Sequence, residues 1–136
     1  MLTTVQKVQR LKSVSLFQSL SARDRLLIAM ICSDEQLEAD EILCEEGEEG
    51  DELYLLLEGK ISVGKEQNGS WIELAQIDEN SCVGETSLFL DQPRNATLKT
   101  KVPSHILYLS KVMLHELIQE YPQISIGIIQ ELMKRS

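Results

Sequence analysis

The chain has 136 residues, a length that fits one domain with a single hydrophobic core. Hydrophobic residues make up 43% of it, which is typical of a folded globule and excludes a disordered tail. Asp and Glu number 22 against 13 Lys and Arg, and the net charge of −9 excludes the basic surface that non-specific binding to nucleic acid or anionic lipid requires.

The first third of the chain has a helical pattern. Apolar residues recur at a spacing of three at Leu2, Val5, Val8 and Leu11. Ser21 can then cap a second helix, because Asp24 follows three residues later and an apolar run begins at Leu26. We predict helices over about residues 3–33.

Short β-rich runs separated by turn residues follow, over about residues 36–110. Gly47, Gly50 and Gly59 interrupt "ILCEEGEEGDELYLLLEGKISV", and "NATLKT" and "SHILYLS" are two further runs. The Asn68-Gly69 dipeptide before "SWIELAQI" is the strongest short hairpin signal. This pattern predicts a mainly β fold, a jelly-roll β-barrel (double-stranded β-helix), and not a βαβ sheet.

The end of the chain is helical again, over about residues 111–135. Ser110 can cap the first helix there, and Pro122 interrupts before a second apolar stripe begins at Ile124. We therefore predict one domain over residues 1–136, with the barrel flanked by N-terminal and C-terminal helices.

The three cysteines, Cys32, Cys44 and Cys82, lack the CxxC spacing of a zinc or redox site. An odd number of separated cysteines is typical of buried thiols in a reducing compartment. No run of about 20 apolar residues could span a bilayer. We expect a cytoplasmic location, with no membrane insertion and no nucleic-acid binding by this segment.

One stretch combines an isolated cation with small and polar residues: "VGETSLFLDQPRNATLKT", residues 83–100. Pro93 stiffens the approach to Arg94, whose guanidinium can pair with two phosphate oxygens. Gly84 lets the backbone approach a ligand closely, and the short helix predicted after it offers unpaired amides. The stretch predicts a site for one phosphate.

Glu85 lies nine residues before Arg94 and can only accept hydrogen bonds. A carboxylate near a phosphate site suits a hydroxyl donor such as a ribose 2′-OH. The pair therefore suits a phosphorylated sugar. A structural ion pair between Glu85 and Arg94 is the alternative.

This stretch resembles the phosphate-binding cassette of cyclic-nucleotide-binding domains, which are found in the regulatory subunit of cyclic-AMP-dependent protein kinase, bacterial catabolite activator proteins and gated channels. The upstream segment "LCEEGEEGDELYLLLEG" resembles the family's glycine turn and aliphatic strand, and the resemblance covers nearly the whole chain. The matching cassette positions are Val83, Gly84, Glu85, Thr86, Ser87, Leu88, Arg94, Ala96, Thr97, Leu98 and Thr100.

The resemblance implies a role for each matching residue. Arg94 would pair with the equatorial and axial oxygens of the cyclic phosphate. Glu85, supported by the Gly84 backbone, would accept from the ribose 2′-OH. The remaining implied ligand-binding positions are Thr86, amides near Ser87 and Leu88 and at Ala96 that donate to phosphate, Val83 and Thr97 beside the sugar and base, and Asn95.

Asn95 departs from the family pattern, in which Ala, Ser or Thr follows the arginine. Its amide offers a donor and an acceptor and could face either purine. We favour cyclic AMP over cyclic GMP because the family uses it more often, which is an argument by analogy. The family's lid helix lies beyond the first C-terminal helix, and we expect it to be incomplete or supplied by another segment.

These observations predict a non-catalytic sensor with no cofactor besides its cyclic nucleotide. The C-terminal helices would relay binding to an attached effector of unknown identity. A second copy of the chain is also a candidate partner, in a homodimer. The alternative is a degenerate cyclic-nucleotide-binding fold that binds no ligand and acts as a protein-interaction module.

Two other site classes fit the sequence less well. A cupin-type metal enzyme needs several imidazoles, and the chain has only His105 and His115. The acidic segment "EEGEEGDEL" lacks the spacing of an EF-hand calcium loop and is predicted to be a solvated hairpin tip. No nucleophile–base pair is present in the pattern, so we expect no enzyme activity.

Overall fold

Eight strands form two antiparallel sheets in the computed structural model, which describes residues 1–135. The first sheet has the order β1-β8-β3-β6, with β1 at Cys32–Leu37, β3 at Glu52–Glu58, β6 at Cys82–Val83 and β8 at Ser104–Ser110. The second has the order β2-β7-β4-β5, with β2 at Ile42–Cys44, β4 at Ile61–Gln67, β5 at Ser70–Ile77 and β7 at Thr97–Thr100. The predicted mainly β roll with flanking helices is confirmed, although the strand ladders of the described residues do not close into one barrel.

Helices flank the sheets at both ends of the chain, and one short helix lies between β6 and β7. They are α1 (Thr4–Leu11), α2 (Ala22–Ile31), α3 (Glu85–Phe89), α4 (Lys111–Glu120) and α5 (Gln123–Lys134), with a 3₁₀ turn at Ser15–Phe17. The predicted caps are confirmed: the Ser21 hydroxyl accepts from the Asp24 amide at 3.1 Å, and the Ser110 hydroxyl accepts from the Met113 amide at 3.4 Å. Within residues 1–135 no helix is both long and apolar enough to cross a membrane.

The predicted hairpin joins β4 to β5. Asn68 and Gly69 form its turn with φ of 52° and 79°. Two successive positive φ values are what a type I′ turn requires, and Asn followed by Gly accepts them at little cost.

Strand β1 begins earlier than the sequence pattern indicated. The pattern predicts helix to about residue 33 and a first strand from about residue 36, yet β1 runs from Cys32. Its segment "CSDEQL" is mostly polar, so local propensity does not reveal a strand. Pairing with β8, from Cys32 opposite Leu109 to Leu37 opposite Ser104, determines its conformation.

Strand β3 is buried on both faces and separates two hydrophobic clusters. On one face, Leu53, Leu55 and Leu57 pack with residues of the helices, including Phe17 and Ile128. On the other face, a second cluster lies between the sheets and contains Tyr54, Leu56, Ile61, Leu98 and Ile106. The strand thereby holds Tyr54 and the Glu52 backbone firmly at one end of the roll.

The cysteines are free thiols, with Cys32 and Cys44 buried and Cys82 partly buried. Burial raises the pKa of Cys32 and of Cys82 to about 12, so both remain protonated at neutral pH.

A buried carboxylate ties the N-terminus to the first sheet. The side chain of Asp34 is 2% exposed, accepts from the Leu2 amide at 3.2 Å, and lies 2.5 Å from His105 Nε2. Burial alone would raise the pKa of Asp34, but the hydrogen bonds from His105 and Leu2 outweigh it and hold that pKa below its usual value. An acid whose pKa is lowered on folding stabilises the fold above its unfolded-state pKa of about 4, and this contribution is lost as the pH falls through the lower folded value.

We therefore expect Asp34→Asn to lower the free energy of unfolding by about 1–3 kcal/mol at pH 7, with a weaker loss of stability below about pH 4 than in the unsubstituted chain. Thermal melts from pH 7 down to acid would measure both effects. Asp78→Asn, at an exposed carboxyl, is the matched control. Parallel pH profiles for the chain and for Asp34→Asn would contradict the assignment.

Candidate functional site

A pocket of about 180 Å³ opens where β6, α3 and the loop after α3 meet β4 and β7. Of the sequence-predicted site residues, only Leu88 and Thr97 are missing from its lining. The lining residues are Val63, Val83, Gly84, Glu85, Thr86, Ser87, Gln92, Pro93, Arg94, Asn95, Ala96 and Leu98. The fold therefore brings the two ends of the predicted cassette to one cavity.

Gly84 begins the site because no other residue fits its backbone. Its φ is 97°, in the left-handed region, and it directly precedes α3. A Cβ at this position would lie 2.6 Å from Arg94 Nη1 and 2.8 Å from the Glu52 carbonyl oxygen. The absence of a side chain thus lets the guanidinium lie directly against the turn before α3.

Arg94 is held by three kinds of contact. Its Nη2 donates to the Glu52 carbonyl at 2.6 Å, and its guanidinium lies 5.3 Å from the centre of the Tyr54 ring. Its backbone amide donates to the Glu48 carbonyl at 2.7 Å, and its own carbonyl accepts from the Gly47 amide at 2.8 Å. The side chain is therefore fixed in orientation before any ligand arrives.

Not every donor of this guanidinium is used. Arg94 Nε is buried and has no hydrogen-bond partner among the described residues. A buried donor without an acceptor destabilises a fold by about 1–3 kcal/mol, so such groups are uncommon. Arg25 Nε is a second such atom among the described residues, but only Arg94 lines the pocket. The arrangement offers an oriented cation with unused hydrogen-bonding capacity.

The acidic segment between β2 and β3, residues 45–51, packs against the cassette. A Cβ on Gly50 would lie 2.0 Å from Ser87 Oγ and 3.2 Å from Arg94 Nε. The second sequence pattern, with its glycines, is therefore part of the same structural unit as the cassette. No group of three or more potential metal ligands occurs in the described part of the chain.

Glu85 is partly exposed at the first position of α3, and its carboxylate accepts from Arg135 Nη1. The other terminal nitrogen of Arg135, Nη2, donates to Ser15 Oγ at 2.7 Å. The alternative of a structural ion pair between Glu85 and Arg94 is not what residues 1–135 show, because the two side chains have different partners.

Part of the pocket wall was not assigned from the sequence. Val63 on β4 lies opposite Leu98 on β7, and together they form an apolar wall. Gln92 adds a polar group at the rim. Leu98 matched the family pattern without being assigned to the site. Val63 carries no sequence signal of this kind, because the pairing of two strands 35 positions apart cannot be predicted from the local sequence.

Two predicted positions lie outside the lining. The Leu88 side chain is fully buried in the helix-side core. Thr97 Oγ1 accepts from the Glu46 amide at 3.0 Å. Asn95 is exposed, lines the pocket, and makes no side-chain hydrogen bond within the described residues.

Comparison with known proteins gives a consistent result. Residues 34–121 match the family model of the cyclic nucleotide-binding domain. The N-terminal domain of a transcriptional regulator from Streptomyces coelicolor is 26% identical, with a TM-score of 0.83 over 93% of this chain and 89% of that one. The sensor domain of the regulator DNR from Pseudomonas aeruginosa is 22% identical, with a TM-score of 0.79 over 97% and 89%.

A third structure, the regulatory domain of Toxoplasma gondii PKA with cAMP, is 23% identical, with a TM-score of 0.75 over 83% of this chain. The match spans only 43% of that longer chain.

Proposed function

The chain belongs to the cyclic nucleotide-binding domain family, and from that premise we propose that it is a non-catalytic sensor. It binds a 3′,5′-cyclic nucleotide, cyclic AMP in preference to cyclic GMP, in the pocket between α3 and the second sheet. Helices α4 and α5 relay binding to an attached effector.

The observation that carries this proposal is the state of Arg94. Its guanidinium is oriented by the Glu52 carbonyl and the Tyr54 ring, and its Nε is buried without a partner among the described residues. A phosphate oxygen would satisfy that donor with a charge-assisted hydrogen bond. The chain's net charge of −9 repels anions in general. Such a site is therefore selective for an anion that can place two oxygens against the planar guanidinium.

The sugar and base would occupy the rest of the pocket. Glu85 supplies the acceptor for a ribose 2′-OH, and a carboxylate has enough lone pairs to keep its bond from Arg135 as well. Val63, Val83 and Leu98 offer an apolar wall to the ribose and purine. Asn95 lies where its amide can face the base, so the preference for cyclic AMP rests on analogy with the family.

The alternative is an interaction module that binds no nucleotide. It is favoured by one observation: both charged groups already have protein partners, Arg94 with the Glu52 carbonyl and Glu85 with Arg135. The orphaned Nε opposes it.

Thermal melts with related nucleotides test the proposal. We expect cyclic AMP at about 100 times its dissociation constant to raise the free energy of unfolding by about 2.7 kcal/mol. We expect 2′-deoxy cyclic AMP to bind about tenfold more weakly, because it lacks the donor for Glu85. Adenosine 5′-monophosphate, which has no phosphate ring, is the matched non-cyclic control.

Glu85→Ala gives the internal check, since in that variant cyclic AMP and its 2′-deoxy analogue should bind equally. Equal binding in the unsubstituted chain would refute the role of Glu85. No shift with cyclic AMP or cyclic GMP would leave the interaction module as the function.

A further inference from the structure

The C-terminal end of α3 is bonded to a side chain of α4. Helix α3 has five residues, and a carbonyl in its last turn has no intrahelical partner. That carbonyl, of Leu88, accepts a hydrogen bond from His115 Nε2 at 2.6 Å. Because a carbonyl oxygen only accepts, the proton lies on Nε2.

The same imidazole makes a second contact with α3. Its ring stacks on Phe89 with 6.3 Å between ring centres and 22° between ring planes. His115 therefore touches two successive residues of α3, one through the backbone and one through a side chain.

Helix α4 is fixed on its opposite side by the core. Leu114, next to His115, is fully buried, and Leu117 and Ile118 pack against the helix-side cluster. A salt bridge of 2.5 Å between Lys111 and Asp91 links the start of α4 to the loop after α3. However, the Asp91 side chain is 96% exposed, where ion pairs contribute little.

We infer that His115 is the positioning residue that couples α4 to the cassette, an inference that rests on the proposed function. Ligand binding at Glu85 and Arg94 moves or stiffens α3, and the bond from His115 to Leu88 transmits that change to α4. The imidazole N–H also lies at the negative end of the α3 dipole, which favours this donor there. If α3 and α4 have one arrangement without ligand and another with it, the coupling free energy is set by the difference in ligand affinity between those two arrangements.

Two substitutions separate the two contacts of His115. His115→Phe keeps a ring for stacking on Phe89 and removes the donor. His115→Gln keeps a donor nitrogen at nearly the position of Nε2 and removes the ring. Since His115 is exposed, neither change opens a cavity in the core. Phe89→Leu removes the stacking partner and leaves the hydrogen bond.

Hydrogen–deuterium exchange with and without cyclic AMP, read over α3 and over α4, measures the coupling. In the unsubstituted chain we expect cyclic AMP to change exchange in both helices. In His115→Phe, cyclic AMP should still change exchange in α3, but its effect on exchange in α4 should be about fivefold smaller. Fivefold is the factor that one hydrogen bond contributes to an equilibrium constant. His115→Gln should restore the α4 change, and Phe89→Leu should leave it intact.

The outcomes separate this inference from the proposed function. If α3 does not respond to cyclic AMP in the unsubstituted chain, the proposed function fails. A second outcome is that cyclic AMP changes exchange in α3, and changes exchange in α4 by the same amount in the unsubstituted chain and in His115→Phe. His115 then does not couple the helices, and only the inference fails. A purely structural role would lower the melting temperature of His115→Phe and leave its α4 response unchanged.

Discussion

Arg94→Ala is expected to weaken cyclic-nucleotide binding by at least about 100-fold, since in the proposed site the substitution would remove two or more charge-assisted hydrogen bonds to the phosphate. No other described cation lines the pocket, so nothing in residues 1–135 can take over this role. Arg94→Lys keeps the charge but lacks the planar guanidinium, so its affinity should lie between that of the unsubstituted chain and that of Arg94→Ala. Titration of each variant with cyclic AMP measures the effect.

The fold should survive the change. Removing Arg94 leaves the Glu52 carbonyl without its donor and exposes the Tyr54 ring, at a cost of about 1–2 kcal/mol, but it also removes a buried unsatisfied Nε. Arg10→Ala is the matched control, because Arg10 Nη2 also donates to a backbone carbonyl, that of Leu57, at 2.6 Å. We expect Arg10→Ala to melt at a similar temperature and to bind cyclic AMP normally. Equal loss of binding in both variants would show that Arg94 acts only as a structural prop.

Gly84→Ala is expected to be the most destabilising single substitution in the site, at about 3–4 kcal/mol. The left-handed φ of 97° contributes about 1–2 kcal/mol of strain for any residue with a Cβ. The remainder comes from overpacking against Arg94 Nη1 and the Glu52 carbonyl, which lie 2.6 and 2.8 Å from the added carbon. Relief of that contact would displace the guanidinium, so binding should fall as well.

Gly47→Ala separates strain from overpacking. Gly47 has a φ of 90°, nearly that of Gly84, but a Cβ there would meet nothing within 4 Å. Denaturant unfolding of both variants should therefore show a loss of about 1–2 kcal/mol for Gly47→Ala, from strain alone, and a loss larger by about 2 kcal/mol for Gly84→Ala. Similar losses would mean that the cassette tolerates the added carbon and that Arg94 is not held against Gly84.

Features with a local signal could be predicted from the sequence. The Ser21 and Ser110 caps and the Asn68-Gly69 turn each depend on residues within three or four positions, and all occur as expected. The cassette was recognisable for the same reason, since its turn, its short helix and its arginine lie within a single stretch of the chain.

Features that depend on distant pairing could not be predicted. The polar segment of β1 becomes a strand through its ladder with β8, more than 60 positions away. The Glu52 carbonyl contacts Arg94 across 42 positions, and Arg135 contacts Glu85 across 50. The sequence therefore predicts which side chains bind phosphate and sugar, a prediction that ligand titration has to test, but it does not predict which protein groups hold those side chains in place.

The central claim is that a cyclic phosphate binds to the guanidinium of Arg94, and the Arg94 Nε–H resonance reports on it directly. In nitrogen–proton spectra this signal is identified by its loss in Arg94→Lys. Titration with cyclic AMP should shift it strongly downfield as the orphaned donor gains a charged acceptor. An Arg94 signal that stays in place while other resonances titrate to saturation, or a spectrum that does not change at all, would contradict the account.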